Sequence, residues 1–273
     1  MNKEEYFIKQ FSDSKFIGDD GAVVGSYVYS TDAFFENVHF KREWMSLKQI
    51  AKKAMLVNIS DAIAMNAIPK YALLTVAIPK YYNLKDLDEL ASGFKKVAKK
   101  YKVQIIGGDT ICNEKLDISV TIISKSKHPV LRTGTKEGNL VCYTGELGSC
   151  KKDLDKLLKG KTLSKNSKFI QPKLNATFFY EVSKYINSAL DISDGLFFEC
   201  ERLSKANNVS FEFFEEIPTE IGCSGEEYEL LFTFDEQHRS KIEKIAQEHD
   251  VKLNIFAKTI EGLYECKCKG HHF

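Results

Sequence analysis

Apolar residues recur at helical spacing in two stretches of the first half of the chain. Ser46 is placed as an N-cap for the first stretch, which can run until the break before Pro69. Asn58 and Asp61 project from one face of that helix, where a helix packed on a sheet could aim a carboxylate at a site. The second stretch covers residues 84–101 and has a lysine-rich outer face. The pattern predicts two helices.

Short β-rich runs, bounded by Pro and Gly, predict strands between and after these helices. The predicted strands cover residues 71–78, 103–106, 116–124, 139–143, 209–214, 228–234 and 251–258. Gly107 and Gly108 are interpreted as punctuation between two strands. Further helices are predicted near residues 175–187, 196–207 and 235–248. The alternation predicts a mixed α/β (α+β) chain with two domains, residues 1–135 and 136–273, that meet at a soft boundary near 130–140.

The composition and net charge of the chain limit the classes of ligand that it can attract. The 273 residues are 43% hydrophobic, enough for a sizeable core, and their formal net charge is only +1. A net charge this small produces no overall electrostatic field that would attract nucleic acid or an anionic membrane. A polyphosphate ligand would therefore have to be held by local groups. No stretch approaches the roughly 20 apolar residues that span a bilayer, and the first ten residues lack an apolar export segment. We therefore expect a cytoplasmic protein.

The cysteine pattern predicts reduced thiols. The chain has seven cysteines, an odd number, and no C-x-x-C motif. Reduced side chains in the cytosol are the simplest interpretation. The tail residues Cys266, Cys268, His271 and His272 invite a zinc site, but their spacing matches no established zinc pattern.

Aspartates follow apolar runs at several points along the chain. The positions are Asp19 and Asp20, Asp32, Asp61, Asp109, and Asp191 with Asp194. Any one of them could be an ordinary turn former, but the repeated placement beside buried segments predicts a rigid cluster of carboxylates. Two such charges about 5 Å apart repel by roughly 3 kcal/mol at an effective dielectric of 20, so a cluster implies bound cations or protonation.

All-oxygen ligands favour magnesium over zinc, and magnesium commonly takes its remaining ligands from phosphates. The sequence has neither the G-x-x-x-x-G-K-[ST] nor the G-x-G-x-x-G motif of other nucleotide-binding proteins. Gly107, Gly108, Asp109 and Thr110 could let backbone N–H groups approach a phosphate, but taken alone this segment favours a plain turn.

Taken in order, these segments resemble the thiamine-monophosphate kinase family, which belongs to the superfamily of aminoimidazole ribonucleotide synthetase and selenophosphate synthetase. The resemblance spans nearly the whole chain and is most specific where D-I-S-D-G-L is combined with G-E-E-Y-E-L. The matching segments are I-G-D-D-G-A-V (17–23), S-T-D-A-F-F-E-N-V-H-F (30–40), K-A-M-L-V-N-I-S-D-A-I-A-M-N-A-I-P (53–69), I-G-G-D-T (106–110), R-T-G-T-K-E-G (132–138), T-G-E-L-G (144–148), D-I-S-D-G-L (191–196) and S-G-E-E-Y-E-L-L-F-T (224–233).

The resemblance implies a two-domain, aminoimidazole-ribonucleotide-synthetase-like fold and a homodimer joined through the N-terminal β-sheet. It implies magnesium-assisted transfer of a phosphoryl group from ATP to thiamine monophosphate. The implied magnesium ligands are Asp20, Ser30, Thr31, Asp32, Asp61, Asp109, Asp191 and Asp194. The implied nucleotide contacts are Gly108, Asp109, Arg132 and Ser193, and the implied substrate contacts are His39 and Glu226. Asp61, Asp109 and Arg132 take the catalytic roles.

The chain also departs from the family pattern. Glu227 replaces the aspartate of G-E-D-Y, and an aromatic residue that the family places near its C-terminus, against the substrate ring, has no clear counterpart. Without the resemblance, Arg132 would be an ordinary surface residue as often as a phosphate ligand, and His39 a packed core residue.

Two other functions stay open at this point. One is an enzyme of the same superfamily with a different acceptor, such as formylglycinamidine ribonucleotide or selenide. The absence of cysteine before residue 112 disfavours a selenophosphate synthetase. The other is a sensor that binds magnesium and ATP, or thiamine diphosphate, without turnover.

Overall fold

The computed structural model describes residues 3–269 and contains two five-stranded sheets. The first sheet has the strand order β1-β2-β5-β3-β4, and only the β3–β4 pair is parallel. Its strands are β1 (Ala22–Val24), β2 (Tyr27–Phe35), β3 (Ile68–Pro79), β4 (Gln104–Asn113) and β5 (Asp117–Lys125). β4 lies at one edge, and β2 is three strands away along the sheet.

Three helices belong to this first half: α1 (Lys3–Lys9), α2 (Leu47–Ala64) and α3 (Leu84–Tyr101). A 3₁₀ turn, Arg42–Trp44, precedes α2. The predicted N-cap is confirmed, because Ser46 Oγ accepts a hydrogen bond from the Gln49 amide at 3.3 Å while Gln49 Oε1 accepts one from the Ser46 amide at 2.9 Å. α3 has the predicted bounds, and α2 ends at Ala64, before the predicted limit at Pro69.

The second sheet is antiparallel throughout and has the order β7-β9-β6-β10-β8. Its strands are β6 (Leu140–Thr144), β7 (Ile186–Asp191), β8 (Val209–Phe213), β9 (Leu230–Phe234) and β10 (Leu253–Glu261). The accompanying helices are α4 (Ser149–Leu158), α5 (Ala176–Val182), α6 (Leu196–Asn207), α7 (Thr219–Gly222) and α8 (Arg239–Glu248). Short 3₁₀ turns follow α5, at Ser183–Tyr185, and precede α8, at Glu236–His238.

α2 is buried on almost all sides and connects the two halves. It packs against β2, β5 and α3 on one side and against β7 and α5 on the other. One continuous apolar core includes Ile59 of α2, Phe178 of α5 and Phe232 of β9, all fully buried. The division of the chain near residues 130–140 stays a prediction, but the two sheets do lie on either side of it in sequence.

Two local predictions were wrong. Gly107 and Gly108 do not separate two strands, because β4 continues through them to Asn113 with a register shift opposite Ala72 and Leu73. The helix predicted near 175–187 ends at Val182, and β7 begins at Ile186. The short helix and the strand that follows it are both rich in apolar residues, so the spacing of apolar residues alone does not locate the boundary between them.

The expectation of seven reduced thiols was also wrong. Cys223 and Cys268 form a disulfide, which ties the C-terminal segment to the loop before Ser224. The sulfur of Cys266 lies beside this bond and accepts a hydrogen bond from the Cys268 amide at 3.3 Å. His271 and His272 lie outside the described residues. Between residues 3 and 269, none of the helices has the length and apolar character needed to cross a membrane.

Candidate active site

Four of the aspartates converge between the two sheets. Asp20 lies before β1, Asp32 on β2, Asp61 on α2 and Asp191 at the end of β7. The carboxyl groups of Asp32 and Asp61 are close enough to influence each other's pKa, and Asp20 Oδ2 accepts a hydrogen bond from the Asp191 amide at 3.3 Å. The structure therefore brings together side chains that are up to 171 residues apart in sequence.

Burial and mutual repulsion raise the pKa values of three members of this cluster. Desolvation, followed by the charge of Asp20, raises the pKa of Asp32 to about 6. Desolvation raises the pKa of Asp61 well above its usual range, and the neighbouring Asp32 and Asp191 add to the effect. The pKa of Asp191 is raised in the same way, first by burial and then by Asp20. Such a group of carboxyls binds protons or cations in preference to remaining fully ionised.

Arg132 provides a positive charge at the edge of the cluster. Its Nε and Nη2 atoms donate to Asp20 Oδ1, the first at 3.1 Å, and its backbone amide donates to Asp19 Oδ1 at 2.6 Å. The Asp20 carboxylate is almost inaccessible to solvent, whereas the Arg132 side chain is 22% exposed. Arg132 is therefore not the solvated surface residue that its sequence context alone allowed.

Asp194 lies near the cluster but is held by a cation of its own. Arg202 on α6 donates through Nη2 to Asp194 Oδ2 and through Nη1 to both oxygens of the buried Glu199 carboxylate at 2.7 Å. Arg202 was not identified from the sequence, because its place on the outer part of an amphipathic helix is also that of an ordinary solvated arginine.

Ser30 and Thr31 point to opposite faces of β2, as neighbours on a strand must. Ser30 is buried on the side of α2, where its hydroxyl donates to the Asn58 carbonyl at 3.3 Å. The Thr31 hydroxyl instead lies on the open face, 3.0 Å from Thr121 Oγ1. Within one chain, the Thr31 side chain does not join the aspartate cluster.

Asp109 does not join the cluster within one chain either. It is paired with Thr75 across β3 and β4, and the same row of the sheet continues through Ser119 to Ala33, next to Asp32. Three strand spacings correspond to roughly 14 Å of sheet. The predicted site is thus divided between the aspartates around α2 and the Gly108–Asp109 segment at the edge strand.

The donor set fits a hard cation, although the ligands are not assembled around one. Among residues 3–269, no three acidic, histidine or cysteine side chains stand close enough together to hold a metal ion. Two buried oxygens of this region nevertheless have no hydrogen-bond partner among the described residues, Asp191 Oδ2 and Asn58 Oδ1. Unpaired buried oxygen atoms beside crowded carboxyls are a donor set that suits Mg²⁺.

A cavity of about 380 Å³ opens beside the cluster. Its lining includes His39, Trp44, Phe169, Ser193, Asp194 and Glu226. The charges of Glu226 and Asp194 both act on Asp32, so the cavity and the carboxylates are electrostatic neighbours. This cavity combines aromatic walls with a small number of polar groups, as is usual for sites that bind small molecules.

A second cavity, of about 360 Å³, lies between α3 and the edge of the first sheet. Leu74, Leu90 and Phe94 form its apolar side, and Gly108 and Asp109 form its rim. Gly108 has φ +143°, and a β-carbon there would collide with the backbone of Leu74. Glycine is therefore required by the packing of β4 on β3, whether or not a phosphate approaches it.

The two glutamates of the S-G-E-E-Y segment have different environments. Glu226 faces the first cavity. Glu227 is buried, and its Oε1 accepts hydrogen bonds from the amides of Gly148 and Cys150 at 2.7 and 3.2 Å. Glu227 thus anchors the start of α4 and has no place in the cavity, so its departure from the family pattern concerns structure.

Sequence reasoning also missed Lys53. This lysine lies on the apolar side of α2 and is fully buried, and its Nζ is 2.6 Å from Glu226 Oε2. A cation between Ile50 and Val57 on an otherwise apolar helix face was the available signal.

Comparisons with known proteins identify the family of the chain. A family model described as AIR synthase related protein, N-terminal domain, matches residues 18–125. Thiamine-monophosphate kinase from Pyrococcus horikoshii is 32% identical over 86% of this chain and 82% of its own length. The chain belongs to the thiamine-monophosphate kinase family. A second member of the family, from Aquifex aeolicus, is 30% identical over 83% of both chains.

A solved structure of this family extends the likeness to three dimensions. The structure of AaThiL complexed with AMPPCP and TMP matches with a TM-score of 0.86 and 26% identity, and it covers 100% of this chain and 99% of its own. The two-sheet fold and the order of its elements are therefore those of the thiamine-monophosphate kinase family.

Proposed function

We propose that this protein transfers the terminal phosphoryl group of ATP to thiamine monophosphate, which gives thiamine diphosphate and ADP. The observation that carries the proposal is the cavity lined by His39 and Glu226, which opens beside the partly buried carboxyl groups of Asp32 and Asp61 in a chain of this family. The related structure with an ATP analogue and TMP supports the same pair of substrates.

The reaction needs positioning more than it needs a base. A phosphate oxygen of the acceptor, already ionised at neutral pH, forms the new bond to the γ-phosphorus of ATP. The bond from that phosphorus to the β–γ bridging oxygen breaks, and ADP leaves with the electron pair. In this arrangement Arg132 would hold a phosphate oxygen, and the partial exposure of its guanidinium beside Asp20 supports that role.

The residues present fit a magnesium requirement. Asp20, Asp32, Asp61 and Asp191 would hold the ions, with Asp191 Oδ2 as a buried oxygen that lacks a protein partner among the described residues. Bound Mg²⁺ supplies neutralisation of the phosphate charges that otherwise keep the two anionic substrates apart. Ser30 contributes by its hydrogen bond to the Asn58 carbonyl, which fixes β2 against α2.

The divided site supports a homodimer. All ten residues of β4 are exposed, including the apolar Ile105, Ile106 and Ile111, so this edge of the first sheet is uncovered in a single chain. A second copy packed there would bring its own Gly108 and Asp109, with the apolar cavity beside them, to the aspartates of the first chain. In this arrangement the cavity at α3 receives the base of ATP, and its phosphates extend toward Arg132 and Ser193.

The deciding experiment incubates the purified protein with ATP, Mg²⁺ and thiamine monophosphate and measures thiamine diphosphate and ADP together. We expect the two products in equal amounts. Thiamine, which lacks the acceptor phosphate, serves as the matched control and should yield neither. Binding of a nonhydrolysable ATP analogue without any thiamine diphosphate would contradict the proposal and favour a sensor. ADP formed only with another acceptor would favour a different enzyme of the superfamily.

A further inference from the structure

Lys53 is a charged residue in a place where lysine rarely occurs. It lies in the middle of α2, its side chain has no solvent exposure, and its neighbours on the helix belong to the apolar core. Burying an ammonium group is costly unless a counter-charge compensates for the lost water. Glu226, whose carboxylate is 27% exposed at the cavity, is that counter-charge at 2.6 Å.

The Glu226 carboxylate is held from two sides. Lys53 approaches Oε2 from the core, and the Tyr228 hydroxyl donates to Oε1 at 3.1 Å. The backbone is constrained as well, because Glu226 has a left-handed φ of +62° and its amide donates to the Ser193 carbonyl at 2.6 Å. A side chain restrained at both oxygens and at the backbone presents its charge to the cavity in one orientation.

Lys53 also contacts an aromatic wall of the cavity. Its Nζ lies 3.9 Å from the centroid of the Phe169 ring, a cation–π contact. Phe169 in turn meets Trp44 edge to face, with centroids 6.3 Å apart. Glu226, Phe169 and Trp44 therefore give the cavity a carboxylate beside two aromatic surfaces, the chemistry that recognises a flat, cationic ring.

We propose that Lys53 is a positioning residue for the acceptor: it orients Glu226 and Phe169 so that they bind the cationic ring of the substrate. This inference rests on the proposed function, which supplies thiamine monophosphate as the acceptor. Lys53 stands behind the carboxylate, so a ring in the cavity meets Glu226 at contact distance and the ammonium group farther away. The nearer charge dominates, because Coulomb energy falls with distance.

The test uses Trp44, the only tryptophan of the chain, as a binding probe that does not depend on turnover. Thiamine monophosphate is titrated into the full-length protein without ATP, and a nonhydrolysable ATP analogue is titrated separately by calorimetry. For Lys53→Met we expect thiamine monophosphate to bind tenfold more weakly or worse, because the partly exposed Glu226 carboxylate loses the cation that orients it, while affinity for the ATP analogue stays within about twofold. In turnover, KM for thiamine monophosphate should rise with kcat little changed.

Two further variants separate positioning from a structural role. In a Glu226→Gln background, Lys53→Met should cause no additional loss, since Lys53 acts through that carboxylate. Lys52→Met, one position earlier on α2 and outside the cavity lining, should leave both affinities unchanged. Should Lys53→Met fail to fold, Lys53→Gln removes the charge and keeps a donor, and we expect an intermediate loss of thiamine monophosphate binding.

Several results would overturn the proposal. Unchanged thiamine monophosphate affinity in Lys53→Met, or in Lys53→Gln where only that variant folds, shows that the charge is not used for binding. Equal weakening of both ligands shows a general structural role, and a multiplicative effect in the double variant shows that Lys53 does not act through Glu226. If the unmodified protein itself does not bind thiamine monophosphate, the proposed acceptor is wrong and the role of Lys53 is rejected with it. That result is distinguishable from a failure confined to the variants.

Discussion

Burial raises the pKa of Asp61 and the neighbouring Asp32 carboxyl raises it further, although one side chain comes from the helix and the other from the first sheet that the helix packs on. Both are only partly exposed, and both have raised pKa values. Two neighbouring, partly buried carboxyls can retain one proton between them or bind a cation. This relationship connects the stability of the fold to the chemistry of the site, and both can be measured.

The first prediction concerns pH. The pKa of Asp32 is about 6 in the folded protein, whereas an unperturbed aspartate side chain has a pKa of 3.8. Between these two pH values the folded state therefore binds more protons than the unfolded state. Stability of the metal-free protein therefore falls as the pH rises through this window, by at most about 3 kcal/mol from this group. Urea unfolding with a chelator, between pH 4 and 7.5, measures the slope.

Asp32→Asn is the control for that slope, because it removes the titrating group and keeps the shape of the side chain. The free energy of unfolding of this variant, relative to the unmodified protein, should increase between pH 4 and about 6 and level off at higher pH. A constant difference over this range would mean that Asp32 titrates normally and is not crowded by its neighbours.

A second prediction concerns Asp61→Asn and magnesium. Without metal, the variant should be more stable than the unmodified protein at pH 7.5, by about 1–3 kcal/mol, because it removes a carboxyl group whose ionisation is opposed by burial and by the charges of Asp32 and Asp191. With millimolar Mg²⁺ the order should reverse, since a ligand that binds only the folded state stabilises the protein that retains the site. Thermal unfolding with and without Mg²⁺ tests both statements, and turnover should fall at least about 100-fold.

The convergence of these aspartates was predictable, but their partners were not. Most of these aspartates follow an apolar run and Asp61 lies on one face of a predicted helix, which led to the expectation of a cluster. In the structure Asp20, Asp32, Asp61 and Asp191 lie near one another beside α2, while their role as metal ligands stays a prediction. The same rule could not separate Asp109 from the others, because the position of a strand within a sheet depends on pairing between distant segments. The opposite orientation of Ser30 and Thr31 could have been predicted if residues 27–35 had been assigned to a strand, because neighbouring residues of a strand point to opposite faces.

Arginine and lysine partners were harder to find. Arg202 and Lys53 reach the site only through the packing of α6 and α2, and a single sequence does not show which face of a helix meets a site. The disulfide between Cys223 and Cys268 was not expected, because reduced thiols in the cytosol were the simplest interpretation of the cysteine pattern. That interpretation contains no information on the path of the C-terminal segment, which returns to the residue before Ser224.

A third prediction tests whether two chains share each site. Asp61→Asn and Asp109→Ala should each be inactive alone, while a mixture that has exchanged subunits should recover activity. If Asp109 completes the site of the neighbouring chain, random mixing leaves about one quarter of the sites intact. Subunit exchange is promoted by brief mild denaturant, and dimer formation is checked by light scattering. A mixture as inactive as its components would place both residues in the same chain's site.

A fourth prediction concerns the disulfide. It closes a loop across a sequence separation of 45 residues, so its reduction should lower the free energy of unfolding by about 2–4 kcal/mol. Cys268→Ser should reproduce the loss under oxidising conditions and be insensitive to reductant. Cys266→Ser, which leaves the disulfide intact, is the matched control. Equal melting temperatures with and without reductant would show that the bond adds nothing to stability.

The last prediction separates packing from phosphate binding at the two glycines of β4. A β-carbon at Gly108 collides with the backbone of Leu74, whereas one at Gly107 meets only Leu73 Cδ2 at 3.6 Å. Both have positive φ, +143° and +155°, so both alanine variants carry backbone strain and only one carries the clash. Gly108→Ala should therefore lose at least about 2 kcal/mol more of unfolding free energy than Gly107→Ala. Comparable losses would mean that β4 can move away from β3, and an effect of Gly108→Ala on ATP affinity alone would assign that glycine to the phosphates.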